Sequence, residues 1–305
     1  VGSGKTAVAA ATASILIDAG YQVALMAPTE LLAKQHSRQA EEWFGPLGVD
    51  TVTLTSRLSK AKRGPVLERL ASDRSAFVVG THALFQNDVT YGKLGLIIVD
   101  EQHRFGVEQR LRLRDKGAQK TYRPHQLIMT ATPIPRTLAM TAYADLDVSI
   151  LDELPPGRKP VQTAIIPATR RNEAIERISN ACREGRQVYW VCPLITESDA
   201  RDQQAAIDTA EQLVGHLPDI RVGLVHGRLS DKVKDGAMIA FLEGETDLLV
   251  ATTVIEVGVD VPNASLMVID NAERLGLSQL HQLRGRIGRG GQDANCLLLY
   301  KTPLS

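Results

Sequence analysis

The run Gly2-Ser3-Gly4-Lys5-Thr6, leading into a helix-forming stretch to about residue 19, constrains the fold of this 305-residue chain more than any other segment. Small residues let backbone N–H groups curl around phosphate oxygens. A lysine at this position reaches the β- and γ-phosphates, and the threonine hydroxyl takes a Mg²⁺ position. The following helix adds the positive end of its dipole to the same anion. Gly2, Ser3, Gly4, Lys5 and Thr6 are therefore the expected nucleotide-binding set, with Lys5 also catalytic and Thr6 also a metal ligand. The ordinary alternative is a flexible Gly/Ser turn carrying a stray lysine. The full pattern starts with a glycine two positions ahead of Val1, and a strand normally feeds such a loop. The expectation is thus a fragment whose first domain lacks one central strand.

Strand-like apolar runs alternate with helical patterns along the rest of the chain. The expected strands are 22–27, 77–79, 94–99 and 126–129 in the first half. In the second they are 162–166, 188–192, 222–225, 248–251, 266–269 and 295–299. This alternation implies an α/β protein with a mostly parallel, doubly wound sheet in each half. Pro155, Pro156, Gly157 and Pro160 mark a linker, so the expected domains are 1–153 and 154–305. Tandem α/β units leave a cleft between them, the default place for a ligand.

The strand at 94–99 ends on Asp100-Glu101-Gln102-His103. Two adjacent carboxylates at a buried strand end repel each other unless a cation neutralises them. Asp100 is expected to hold Mg²⁺ and Glu101 to orient and deprotonate an attacking water. A plain acidic turn is the alternative. Thr130 and Thr132, after the next strand, are placed to sense His103 and so to couple nucleotide state to a second ligand. Pro133 and Pro135 fix the turn that follows.

Lys plus Arg and Asp plus Glu each total 35, so net charge predicts no nucleic-acid partner, and any such binding must be local. Three strand ends offer local sites. Pro28 and Thr29 follow the first strand, with a helix cap by Thr29 as the ordinary reading. Gly80, Thr81 and His82 follow another. In the second half His226 and Gly227 close one strand, and Thr252 and Thr253 another, with Gly258 and Asp260 as candidates for the nucleotide edge. Residues 57–63 form a basic cluster, read either as a solvated face or as a DNA contact. Finally, Gln282-Leu283-Arg284-Gly285-Arg286-Ile287-Gly288-Arg289 puts Arg286 and Arg289 three apart on a helix-like segment, hence on one face. Their guanidinium groups suit the charge that develops on a transferring phosphoryl group.

Cys182, Cys192 and Cys296 are odd in number and form no CxxC pair, which suits buried thiols in a reducing, cytoplasmic compartment. The longest apolar run, 94–99, is too short to span a membrane.

These segments, in this order, resemble the superfamily 2 helicases, over essentially the whole chain. Within that superfamily, residues 100–107, 130–139, 154–158, 279–290 and 298–303 are similar to those of the bacterial branched-DNA helicases. The resemblance implies two RecA-like P-loop NTPase domains in a monomeric 3′–5′ DNA translocase that uses ATP and Mg²⁺ to remodel stalled forks and Holliday junctions. It also implies coupling roles for His103, Thr130, Thr132 and Gln282, and an N-terminal wedge domain that this chain does not include. Ser56 departs from the glycine that many relatives place there. A motor that displaces RNA polymerase and a non-catalytic binding module are the alternatives.

Overall fold

A computed structural model describes residues 3–101, 123–130, 147–153, 157–193, 199–252 and 261–302. The candidates Gly2, His103, Thr132, Thr253, Gly258 and Asp260 lie outside the described residues. The chain divides into two compact units, one over Ser3–Asp152 and one over Glu153–Ser305.

In the first unit, α1 (Lys5–Asp18), β1 (Gln22–Met26), α2 (Glu30–Phe44), β2 (Thr51–Leu54), α3 (Lys60–Ala71), β3 (Ala76–Gly80), β4 (Leu94–Val99) and β5 (His125–Ile128) follow one another. The sheet order is β2-β3-β1-β4-β5, and every pairing is parallel. β1, β3 and β4 are buried at every position. Continuous apolar runs such as Leu94-Gly95-Leu96-Ile97-Ile98-Val99 are what a parallel sheet covered on both faces requires. The sequence reading omitted β2. Its four residues alternate half-buried threonines, which face α2, with the buried Val52 and Leu54, so this edge strand lacks a continuous apolar run.

The second unit contains β6 (Gln162–Pro167), α4 (Arg171–Arg183), β7 (Gln187–Val191), α5 (Asp199–His216), β8 (Val222–Val225), α6 (Asp231–Leu242), β9 (Leu248–Ala251), β10 (Ala264–Ile269), α7 (Leu277–Arg284) and β11 (Asn295–Tyr300). Its order is β6-β11-β10-β7-β9-β8, again all parallel. Its core gathers Trp190, Val250, Val268 and Leu297 from the strands with Ala174 and Ile178 from α4. The three cysteines are free thiols. Burial pushes each of them up to about 12, so at neutral pH all three are protonated and poorly nucleophilic. No helix among the described residues is long and apolar enough to cross a membrane.

Two glycines show what the packing permits. At Gly80 a Cβ would lie 2.2 Å from the Leu54 carbonyl oxygen and 2.8 Å from Leu84 Cγ. At Gly236, exposed on α6, it would meet nothing within 4 Å. Gly80→Ala is expected to destabilise the protein by about 1–3 kcal/mol through overpacking. Gly236→Ala is expected to stabilise it by roughly 0.5–1 kcal/mol, because alanine restricts the unfolded chain and favours helix. Urea unfolding of the two variants checks the opposite signs.

Candidate functional site

In a parallel sheet all strands end on the same edge, where connecting loops collect functional groups. On the first unit's edge the order is Ser56 after β2, Gly80–His82 at β3, Pro28–Thr29 after β1, Asp100–Glu101 after β4 and Thr130 after β5. α1 ends at Asp18, shortly before β1 starts, and packs on β1, β3 and β4, so its N-terminus points to that same edge. There Gly4 takes a left-handed conformation (φ 87°), which glycine adopts without steric cost, and its carbonyl accepts from the N–H groups of Ala7 and Val8. Lys5 and Thr6 open the helix and are half-buried. Loop, lysine and threonine thus share an edge with Asp100 and Glu101.

The carboxylate pair is held tightly. Asp100 Oδ1 accepts the backbone N–H of Glu101 at 3.0 Å. Glu101 itself has φ 51°, a left-handed conformation that costs a non-glycine residue roughly 1–2 kcal/mol. Its side chain is buried. Asp100 Oδ2 meets His36 Nε2 at 3.1 Å, a contact the sequence reading did not anticipate. The signal was present. His36 lies seven residues after Thr29, so it falls on the same inward face of α2 as Leu32, Ala33 and Ala40, where a lone imidazole needs a partner.

The other expected positions divide. Thr29 is a helix cap: its hydroxyl accepts from Leu32 N at 3.3 Å. Gly80 has the packing reason given above. Thr81 is 3% exposed, and its hydroxyl has no hydrogen-bond partner among the described residues. His82 is exposed and lies 3.3 Å from Ser56 Oγ. The basic cluster is partly spent within the unit. Arg57 pairs with Glu30 at 3.1 Å and Arg63 with Asp88 at 2.9 Å, while Lys60 and Lys62 stay exposed on α3.

In the second unit Thr252 is fully buried and its N–H donates to Val225, so the expected open hydroxyl is instead turned inward. Gly227 is exposed and His226 half-buried. The spacing argument for Arg286 and Arg289 is corrected. α7 ends at Arg284, Gly285 caps it, and the chain leaves helical geometry at Gly288 (φ 72°). A Cβ on Gly288 would stand 2.8 Å from Ala294 Cβ, and its N–H is pinned to Ala264 O, so the two arginines sit on a turn rather than on one helical face. Arg286 is 4% exposed, Arg289 half-buried, and Gln282 buried on α7.

β10 ends much as β4 does. Asp270 Oδ1 accepts the N–H of Asn271, itself left-handed at φ 45°. Its other oxygen is bound by Arg171, whose guanidinium lies 4.4 Å over the Trp190 ring.

Comparison with known proteins follows this geometry. The model of the DEAD/DEAH box helicase family matches residues 1–141, and that of the helicase conserved C-terminal domain matches 170–291. The chain is 60% identical over its whole length to the ATP-dependent DNA helicase RecG of Escherichia coli K12, and 60% identical to that of Pasteurella multocida. Over its whole length the chain resembles the RecG helicases, and its two halves match two helicase domain families. The chain spans 44% of the length of those curated relatives. A solved RecG bound to a three-way DNA junction superimposes with a TM-score of 0.84 and 43% identity, covering 99% of this chain and 39% of that one. The RecG likeness fits two RecA-like helicase folds, each a parallel α/β sheet.

His226 gives a direct probe of the edge of the second sheet. Burial, then Lys234 and Arg228, hold its pKa below the ordinary histidine value, so the neutral ring is the stable form at neutral pH and protonation on acidification is disfavoured in the fold. The NMR titration midpoint of His226 is expected below that of a model histidine.

Proposed function

We propose that this chain is the two-domain motor of an ATP-dependent 3′–5′ DNA helicase of RecG type, remodelling forks and Holliday junctions in repair and recombination. The observation that carries this reading is 60% identity over the whole chain to a RecG helicase, combined with the convergence of the Gly4 loop, Lys5, Thr6, Asp100 and Glu101 on one sheet edge. Residues 1–153 form the ATP-binding domain and 154–305 the helicase C-terminal domain. The reading is of a monomer working in the bacterial cytoplasm at the nucleoid.

In this mechanism Ser3, Gly4 and the α1 N-terminus hold the β- and γ-phosphates through backbone N–H groups, and Lys5 adds a positive charge. Thr6 and Asp100 supply hydroxyl and carboxylate oxygens, the hard donors that suit Mg²⁺. Mg²⁺, when bound, neutralises charge on the phosphates. Glu101 orients the attacking water and takes its proton, and the buried, fixed position of its side chain suits that task. Arg286 and Arg289 stabilise charge on the transferring phosphoryl group. Gly258 and Asp260 are assigned to nucleotide contact. Pro28, Thr29, Gly80, Thr81, His82, His226, Gly227 and Thr253 belong to the DNA-facing loops. His103, Thr130, Thr132 and Gln282 link them to the nucleotide.

The deciding experiment measures ATP hydrolysis by the full-length protein without DNA, with linear duplex and with a three-way fork. Strong stimulation by the fork is expected. Glu101→Gln is expected to lower turnover by about 10²–10⁴-fold while ATP still binds. Turnover indifferent to DNA would leave an ATPase but remove the branched-DNA reading.

A further inference from the structure

Asp100 is not held by its own turn alone. We propose that His36 is a positioning residue for Asp100, fixing the carboxylate in the orientation that receives the Mg²⁺–nucleotide complex. The inference rests on the nucleotide reading above and adds to it a residue on a different element, α2.

Three observations converge. Asp100 has one protein donor on each oxygen, Glu101 N–H on Oδ1 at 3.0 Å and His36 on Oδ2 at 3.1 Å. An ionised carboxylate only accepts hydrogen bonds, so Nε2 carries the proton in this contact. Two donors on opposite oxygens fix both the rotamer and the plane of the carboxylate, and each oxygen keeps a lone pair for a cation or its water. The pair is also sheltered, His36 being 10% exposed and Asp100 16%, so solvent competes poorly for either partner.

His36 is itself held in place. Its helix is capped by Thr29 and buries Leu32, Ala33, Ala40 and Phe44. The neighbouring Ser37 Oγ lies 2.6 Å from Thr53 Oγ1 of β2, and Phe44 packs on Phe77 of β3 with centroids 4.9 Å apart. The imidazole is therefore presented by a helix docked on the sheet, not by a loop.

The second unit shows the contrast that gives the choice of residue its meaning. Asp270 ends its strand with the same backbone turn, but its free oxygen is taken by Arg171, a permanent charge. An arginine there satisfies the carboxylate and leaves little attraction for a further cation. An imidazole orients the carboxylate with a single hydrogen bond through Nε2 and, unlike an arginine, brings no permanent charge. Residues behind metal-binding carboxylates commonly act in this way, and their loss typically costs about 10–100-fold in metal affinity or activity.

The test compares wild type, His36→Ala and His36→Gln in the full-length protein, the glutamine amide offering an N–H of similar reach. Three quantities are read: kcat and KM for ATP, the Mg²⁺ concentration at half-maximal binding of a fluorescent ADP analogue, and the melting temperature. For His36→Ala, kcat is expected to fall and the Mg²⁺ midpoint to rise by ~10-fold or more, with KM and melting temperature close to wild type. His36→Gln is expected to recover most of both losses. A His36→Ala protein matching wild type in kcat and Mg²⁺ midpoint would overturn the proposal. Equal losses in both variants together with a lower melting temperature would also overturn it, reducing His36 to a packing residue. If wild type binds the nucleotide but does not hydrolyse ATP, the proposed function fails, while the Mg²⁺ midpoints of the three proteins still decide the role of His36.

Discussion

A strand that ends on an aspartate sheltered from water creates an electrostatic demand that the surrounding chain must answer. β4 and β10 both end this way. In each, one carboxylate oxygen takes the N–H of the following residue, and that residue is forced into left-handed geometry, Glu101 in one unit and Asn271 in the other. The geometry is cheap for asparagine, whose short polar side chain tolerates it, and costly for glutamate. Glutamate at a position that favours asparagine or glycine is therefore a conformational expense retained for the placement of one carboxylate. The two ends differ in what balances the remaining charge. Arg171, stacked over Trp190, neutralises Asp270, whereas Asp100 meets His36, a side chain with no permanent charge.

The sheets correspond strand for strand around these two ends. Read outward, β2-β3-β1-β4-β5 matches β8-β9-β7-β10-β11, and β6 extends the second sheet beside β11. β4 and β10 thus occupy equivalent places, which is why the same turn recurs in two sequences of little evident likeness. Position in the sheet, more than local sequence, dictates where the polar groups gather: with parallel strands, every loop that leaves a strand end shares one edge.

The legibility of the chain follows the strength of the local signal. Long apolar runs such as residues 94–99 and 188–192 read clearly because a fully buried parallel strand admits almost nothing else. β2 escaped because two of its four positions are threonines, which meet α2 through polar contact and break the apolar run. The motif loops read clearly, since phosphate and carboxylate chemistry fixes residue types at close spacing. His36 did not, because its partner lies 64 residues away and only the docking of α2 brings them together. The Arg286–Arg289 spacing misled for a related reason. Periodicity assumes the helix continues, and Gly288, crowded by Ala294, stops it. Of the two readings of Thr29, the structure shows the helix cap, on which its hydroxyl is spent.

α2 joins the strand-end loop at Thr29 to the imidazole at His36. A helix rises about 1.5 Å per residue and is stiff along its axis, so the cap and the ring are held roughly 10 Å apart. Nothing between them is free to stretch: Leu32 and Ala33 are buried, and Ser37 is tied to β2. Whatever pulls on residues 28 and 29 therefore moves the ring as well, and with it the hydrogen bond to Asp100. Loop, helix and carboxylate form a single push-rod, and a displacement too small to unfold a turn is enough to work it.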